Sequence, residues 1–316
     1  MHDLALLAGA CLCKFIISEF SFLGGDSGPL AVGAVVYAKL GRNQDSEQCI
    51  KKLKELLPLV LTTRDIPDEL LYGRCGYLYA LMYVAENVQN HNIDLSYFDQ
   101  VIDAVVASGQ HLSQQLRSPC PLMFEWHDSL YLGAAHGIAG IIFILLRTLK
   151  FRNSDDLKRL LEPCLDYLIT LRYPSGNYPS SIKSQSRDKL VHWCHGAPGF
   201  SHMFLLAHKV YQKDAYLQEA ISCGDMIWQR GLLKKGYGLC HGAAGNAYTF
   251  IALYQATRNP KQLYRALKFC QWIFDYGRHG CRIADRPFSL FEGMAGTIYF
   301  LGDMLKHDNA KFPAFY

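Results

Sequence analysis

The sequence lacks several features that would assign it to a common functional class. Its formal net charge is only +4 over 316 residues, and it has no dense basic stripe of the kind that nucleic-acid-binding proteins use. No apolar stretch reaches the roughly 20 residues that a helix needs to cross a bilayer. Walker patterns and Ser-His-Asp signatures are absent in recognisable form. We therefore predict no nucleic-acid partner and no membrane-spanning segment.

Cysteine is plentiful, but its distribution does not indicate a disulfide framework. The chain has 11 cysteines, an odd number, and they are scattered without the regular spacing of small secreted domains. The apolar run from Leu4 to Cys13 follows Asp3, where a signal peptide would carry basic residues, and no cleavage-like segment comes after it. We predict a cytoplasmic protein with reduced thiols, and the sequence leaves open a peripheral attachment to the plasma-membrane surface.

A short glycine motif recurs along the chain. Two glycines separated by two residues and followed directly by an apolar segment appear six times, and successive copies begin 46 to 64 residues apart. The six motifs begin at Gly25, Gly73, Gly137, Gly196, Gly242 and Gly293. Intervals of this size are typical of proteins built from repeated supersecondary units. No proline-, serine- or charge-rich linker interrupts the series, so we predict a single domain over residues 1–316.

Apolar and amphipathic segments alternate around these motifs. The segment that follows a motif is apolar and too long for a strand, as in Ile138 to Leu149. Amphipathic segments such as Asp155 to Leu171 lie between, with charged residues along one side. A helix that is apolar on all sides must be surrounded by protein, and units that cannot bury themselves alone must stack. The pattern predicts an all-α fold with an inner barrel of buried helices sheathed by outer amphipathic helices.

Two of the glycine motifs are preceded by the pair Cys-His. These pairs are Cys194 with His195 and Cys240 with His241, at equivalent positions of two repeats. They offer up to four thiolate and imidazole ligands, which zinc prefers in a tetrahedral arrangement. The competing interpretation is that they are small core residues, because free cysteine is often buried. Repetition of the pair favours a metal site, although spacing alone does not say which three or four residues bind.

The glycine motifs occur together with three longer segments that carry a family resemblance. These segments are Trp193 to Gly199, Gly238 to Gly242 and Ser289 to Thr297. They resemble the eukaryotic lanthionine synthetase C-like (LanC-like) proteins, animal branch, which are relatives of bacterial cyclases. The resemblance covers essentially the whole chain and implies an α/α toroid. That family has seven glycine-loop repeats, so the first N-terminal repeat would be missing here.

The same resemblance implies a metal site and a proton donor. It places one zinc ion per chain on Cys194, Cys240 and His241, and it makes His195 a neighbour that does not bind the metal. His136 falls where the cyclases have a histidine thought to move a proton.

The resemblance also implies glutathione binding. The family's contacts with glutathione match Lys235, Arg282 and Asp285. The two basic side chains would hold the carboxylates of glutathione, and Asp285 would accept from its ammonium group. Without the resemblance these three residues would be interpreted as ordinary solvated surface charges.

Together these implied roles predict a glutathione transferase. Three protein ligands and an open fourth position are the pattern of catalytic zinc, which favours the thiolate form of a thiol. The thiolate would add to dehydroalanine or dehydrobutyrine residues in proteins, or to small electrophiles, and His136 would protonate the resulting enolate. The alternative is a non-catalytic glutathione sensor or adaptor that engages signalling proteins. A carbohydrate-active enzyme would need a carboxylate pair, for which the loops offer only Glu292.

Overall fold

The structure is a computed structural model that describes residues 20–184 and 187–316. The described residues are mainly helical, with an isolated antiparallel bridge between Tyr131 and Ser181. None of the described helices combines the length and the apolarity that a bilayer crossing requires. The apolar run from Leu4 to Cys13 lies outside the described residues.

The described helices fall into two alternating sets. Those that follow the glycine motifs are α1 (Ser27–Lys39), α4 (Arg74–Asn87), α6 (Ile138–Thr148), α8 (Ala197–Tyr211), α10 (Ala243–Thr257) and α12 (Met294–Met304). Between them lie α2 (Asn43–Glu55), α3 (Leu57–Thr62), α5 (Leu95–Leu116), α7 (Asp155–Thr170), α9 (Asp214–Arg230), α11 (Pro260–Phe274) and a 3-10 turn at Ile182–Ser184. Each glycine motif therefore begins a helix, as the sequence predicted.

Burial distinguishes the two sets. Helix α10 is buried continuously from Ala243 to Ile251, as expected for a helix that is apolar on all sides. Helix α9 buries one stripe, in which Tyr216, Ala220, Cys223 and Ile227 recur every three or four residues. Because a helix has 3.6 residues per turn, this spacing puts the stripe on a single face. The predicted alternation of buried and amphipathic helices is present in the structure.

The second glycine of every motif lies against a backbone carbonyl. A Cβ atom added to Gly245 would lie 1.8 Å from the carbonyl oxygen of Leu239, and one added to Gly140 would lie 1.9 Å from that of Ala134. The same relationship, with the carbonyl six residues earlier, holds at all six motifs. Any side chain at this position would collide with the backbone, so the motif requires glycine for close approach.

The chain forms two compact units. Among the described residues, the first comprises 20–126 together with 147–159, and its packing includes a stack of Phe98 on Phe151 with ring centroids 5.2 Å apart. It also contains a largely buried ion pair of 2.8 Å between Arg74 and Asp68. The prediction of a single domain remains a prediction.

The second unit comprises residues 127–146 and 160–316 and contains both Cys-His pairs. Helices α8 and α9 pack against each other, as do α10 and α11. The last helix, α12, departs from the expectation that a helix after a glycine motif is surrounded by protein. Met294 and Ile298 are exposed on one of its faces, because the described part of the chain leaves that face uncovered.

Candidate metal centre

Cys194 and Cys240 lie in matching loops, which precede α8 and α10. In each loop, the carbonyl of the residue before the cysteine lies against the second glycine of the motif. That residue is Trp193 in one loop and Leu239 in the other. The repeated glycine contact therefore gives both cysteines the same local support.

Main-chain hydrogen bonds join these loops in series. The amide of Cys194 donates to the carbonyl of Cys240 at 3.2 Å, and the amide of Cys240 donates to the carbonyl of Phe291 at 2.7 Å. Phe291 lies in the loop before α12. Three successive glycine loops thus hold the two cysteine backbones next to each other.

The side chains of Cys194, Cys240 and His241 converge. Their two sulfur atoms and one imidazole nitrogen all lie within 4.8 Å of one another. Zinc binds sulfur at ~2.3 Å and imidazole nitrogen at ~2.0–2.1 Å, so small side-chain adjustments would bring all three to one ion. Cys194 is buried, whereas Cys240 and His241 are half-buried. The group could hold a metal ion and leaves a side from which a further ligand can approach.

The electrostatics of this group favour a bound cation. A hydrogen bond with the Cys194 side chain and burial both raise the pKa of Cys240 well above its usual value, while His241 acts in the opposite direction. Two thiolates this close would repel each other. A divalent cation offsets that repulsion and deprotonates coordinating thiols. The two sulfur atoms and the imidazole therefore fit a borderline metal such as zinc.

His195 occupies the same motif position as His241 but does not join this group. The glycine after it, Gly196, has φ of +117°, whereas Gly242 has φ of −132°. A positive φ of this kind is readily available only to glycine. The carbonyl of His195 accepts a hydrogen bond of 2.9 Å from the amide of His192. The backbone after His195 therefore takes a different direction from the backbone after His241. His195, the fourth candidate ligand, lies apart from the converging side chains.

The ring of His195 lies within a small aromatic group. Its centroid is 5.6 Å from that of Tyr131 and 6.2 Å from that of His136. Burial lowers the pKa of His195 to about 4, and the charge of His136 acts in the same direction. His195 is therefore neutral at neutral pH. His136, the predicted proton donor, is half-buried beside the residue that follows Cys194.

Sequence reasoning did not single out Tyr131. It lies five residues before His136, and its ring centroid is 6.1 Å from that of the histidine. Its position in the loop before the third glycine motif was the signal that could have indicated a role at the site. That signal is weak, because an isolated tyrosine has many structural roles.

The residues predicted to contact glutathione lie on two adjacent segments. The amide of Arg282 donates to the carbonyl of Lys234 at 2.8 Å, which fixes the Arg282 segment beside Lys235. Lys235 is exposed, and its charge contributes to the lowered pKa values of His192 and His195. Its ammonium group therefore acts electrostatically on the cysteine loops.

Arg282 and Asp285 form an ion pair with each other. Both side chains are more than half exposed, at 52% and 69%. Exposed pairs of this kind contribute little to stability. A ligand that carries carboxylate and ammonium groups can therefore compete for both side chains.

Three solved structures are similar to this chain over most of its length. Nisin cyclase matches with a TM-score of 0.56, covering 96% of this chain and 93% of that one. The Lin0763 protein from Listeria innocua matches with 0.57, covering 93% and 85%. Cellobiose 2-epimerase from Bacillus thermoamylovorans B4167 matches with 0.52, covering 89% and 90%. Each is 13% identical in sequence, so the likeness concerns the fold alone, and it confirms the predicted all-α, α/α-toroid class.

Two sequence comparisons identify the family. The Danio rerio protein named glutathione S-transferase LANCL1 is 52% identical over 298 residues, covering 93% of this chain and 73% of that protein. The family model described as lanthionine synthetase C-like protein matches residues 9–316. Since that match spans nearly the whole sequence and includes all six glycine motifs, the chain belongs to the lanthionine synthetase C-like protein family.

Proposed function

We propose that this protein is a zinc-dependent glutathione transferase, which joins the sulfur of glutathione to an electron-poor alkene through a thioether bond. The observation that carries the proposal is the convergence of Cys194, Cys240 and His241. The last two of these residues are half-buried. The name of the Danio rerio relative, glutathione S-transferase, supports glutathione as the thiol.

One zinc ion per chain would be held by these three residues. When bound, it supplies thiol activation, because a thiol at the open position loses its proton far more readily than free thiol, whose pKa is ~8.5. The protein contributes the paired glycine loops, which bring the two cysteine backbones together through the hydrogen bond between Cys194 and Cys240.

Charged side chains near the cysteine loops would bind the rest of glutathione. Lys235 and Arg282 would hold its carboxylates, and Asp285 would accept from its ammonium group. The exposed ion pair between Arg282 and Asp285 would open as glutathione replaces each partner. Binding in this way fixes the tripeptide while its thiol remains free to react.

His136 would complete the addition by donating a proton. As the new carbon–sulfur bond forms, the π electrons of the alkene move to the carbon next to the carbonyl group, and that carbon then takes the proton. Histidine is the side chain that most often serves as a general acid or base in such proton transfers. The neighbouring rings of Tyr131 and His195 would limit the orientations that His136 can adopt.

The acceptors would be dehydroalanine or dehydrobutyrine residues in proteins, or small electrophiles. We place the reaction in the cytoplasm, because the nine cysteines in the described part of the chain are free thiols and a reducing compartment keeps them so.

The experiment combines the protein with glutathione and a dehydroalanine peptide and measures the thioether product by mass spectrometry. Cys240→Ala should abolish product formation, whereas Cys270→Ala, which changes a cysteine of α11 outside the converging group, should retain it. Equal product from the wild type and Cys240→Ala would contradict the proposal. Glutathione binding without any product would instead support the alternative of a glutathione sensor or adaptor.

A further inference from the structure

A group of three aromatic rings, two of them buried, lies beside the cysteine loops. We call Trp193, Phe291 and Phe312 the aromatic wedge. Phe312 stacks on Trp193 with ring centroids 5.0 Å apart and an interplanar angle of 18°. Phe291 lies 5.6 Å from Trp193 and 6.3 Å from Phe312. Trp193 and Phe312 are almost completely buried, with exposures of 0% and 1%.

The aromatic wedge is connected to both candidate thiolate ligands. Trp193 directly precedes Cys194 in the chain, so movement of the indole ring shifts the backbone of that cysteine. The carbonyl of Phe291 accepts the hydrogen bond from the amide of Cys240 at 2.7 Å. Phe312 contacts both rings, so its side chain connects the residue next to Cys194 with the residue that is hydrogen-bonded to Cys240.

The segment that carries Phe312 is itself held firmly. Phe315, three residues later, is fully buried and stacks on Phe143 of α6 with ring centroids 3.8 Å apart. It also meets the edge of Trp193 at 5.4 Å. Stacked rings in a close-packed interior have few alternative arrangements, so the stack of Phe315 on Phe143 anchors the Phe312 segment to α6, outside the cysteine loops.

We propose that Phe312 is a positioning residue of the metal centre, whose ring sets the separation between the loops of Cys194 and Cys240. The inference rests on the proposed function in that it takes these cysteines as metal ligands. Residues that orient ligands without touching the metal control affinity strongly, because a ligand held in the wrong place must be moved at a cost when the ion binds.

The test is zinc affinity, measured by competition with a chromophoric chelator. Phe312→Leu keeps most of the buried volume but removes the planar ring, and we expect it to bind zinc about 10-fold more weakly, within the 10- to 100-fold range typical of such supporting residues. Phe312→Ala should be weaker still. Replacement of zinc by cobalt(II) gives a second readout, since a displaced sulfur ligand changes the visible absorption of the cobalt site.

The matched control is Phe269→Ala in α11, another buried phenylalanine of the same unit. Its ring packs against Phe250 at 5.1 Å, away from the aromatic wedge. It should lower thermal stability and leave zinc affinity and the cobalt spectrum unchanged. In Phe312→Leu, hydrogen exchange at the amide of Cys240 should be faster than in this control.

The outcomes separate this inference from the proposed function. Wild-type zinc affinity together with a wild-type cobalt spectrum in Phe312→Leu would overturn the positioning role, while the metal centre itself would stand. A wild-type protein that binds no zinc would overturn both. Equal loss of affinity in Phe269→Ala would show a general effect of stability and would also overturn the role of Phe312.

Discussion

The main-chain amide of Cys194 donates a hydrogen bond to the carbonyl of Cys240 at 3.2 Å. Two residues 46 positions apart in the sequence are therefore direct neighbours through their backbones. This contact does not depend on the chemistry of either side chain, so the main chain itself holds the two cysteines, whose sulfur atoms lie within 4.8 Å of each other, side by side.

Loss of one sulfur ligand should remove the metal. We expect purified wild-type protein to contain one zinc per chain and Cys194→Ala to contain almost none after dialysis against a chelator, because three protein ligands define the site. Elemental analysis measures the ratio. Cys270→Ala serves as the comparison and should keep its zinc, and full retention in Cys194→Ala would contradict the assignment.

Replacement of His136 should affect turnover more than binding. His136→Asn should lower kcat for thioether formation by a factor of about 10²–10⁴, the usual contribution of a general acid. Zinc content and glutathione affinity should stay at wild-type values. His111→Asn, an exposed histidine of α5, should behave like the wild type. An unchanged kcat in His136→Asn would remove this residue from the mechanism.

Two adjacent lysines provide a test of glutathione recognition. Lys235→Ala should raise the KM for glutathione about tenfold, in line with the loss of one charged hydrogen bond, and the effect should shrink at high salt. Lys234→Ala should have little effect, because the main-chain carbonyl that accepts from the amide of Arg282 is kept in the variant. Steady-state kinetics at two ionic strengths measures both. Equal effects of the two substitutions would indicate a general surface-charge effect.

A methyl group added to a glycine motif should be highly destabilising. In Gly245→Ala the new Cβ would lie 1.8 Å from the carbonyl oxygen of Leu239, and the forced displacement should lower the free energy of unfolding by about 3 kcal/mol or more.

Gly302→Ala is the control for that substitution. It adds the same atom within α12, where, apart from its chain neighbours and the backbone of the helix itself, no heavy atom of a described residue lies within 4 Å of it. Alanine should stabilise the helix there by about 0.5–1 kcal/mol. Chemical denaturation measures both variants, and similar effects at the two positions would contradict the proposed role of the motif.

Buried histidine should make stability depend on pH. Burial lowers the pKa of His202 to about 3, and its Nε2 atom has no hydrogen-bond partner among the described residues. The unfolded chain takes up a proton near pH 6.5, but the folded protein does not. The free energy of unfolding is therefore unaffected by this titration above pH 6.5 and decreases as the pH falls toward 3. The decrease due to His202 should be about 2 kcal/mol at pH 5.

His202→Gln should reduce that slope. Urea unfolding at several values between pH 5 and 7.5 gives the free energy of unfolding of both proteins. His192 and His195, whose pKa values are also lowered to about 4 by burial, act in the same direction, so the difference between the two proteins isolates His202. Parallel pH profiles would show that His202 does not contribute.

The repeated fold could be predicted because its signals are local and recur. Each glycine motif marks the same backbone contact, and each buried helix follows it directly. The exposure of Met294 and Ile298 on α12 could not be predicted in this way. Their exposure depends on which residues pack beside the last repeat. The sequence of that repeat does not reveal this, because its glycine motif and apolar segment resemble those of the other repeats.

The candidate metal centre was predictable only in part. Repetition of Cys-His pointed to both loops, but spacing could not separate His241 from His195. The difference lies in the φ angle of Gly196, a single torsion on which sequence spacing has no bearing. The aromatic support from Phe312 was equally hidden. In the sequence Phe312 lies 21 residues after Phe291 and 119 residues after Trp193, whereas in the fold the three rings share one cluster.

The contact between glycine and carbonyl has a consequence for how this architecture diversifies. The interaction that shapes each loop uses only main-chain atoms and one missing side chain, so it sets no requirement on the side chain just before a motif. Tyrosine, histidine and glutamate occur there in different repeats. Chemical function can thus be exchanged position by position while the framework beneath it stays constant.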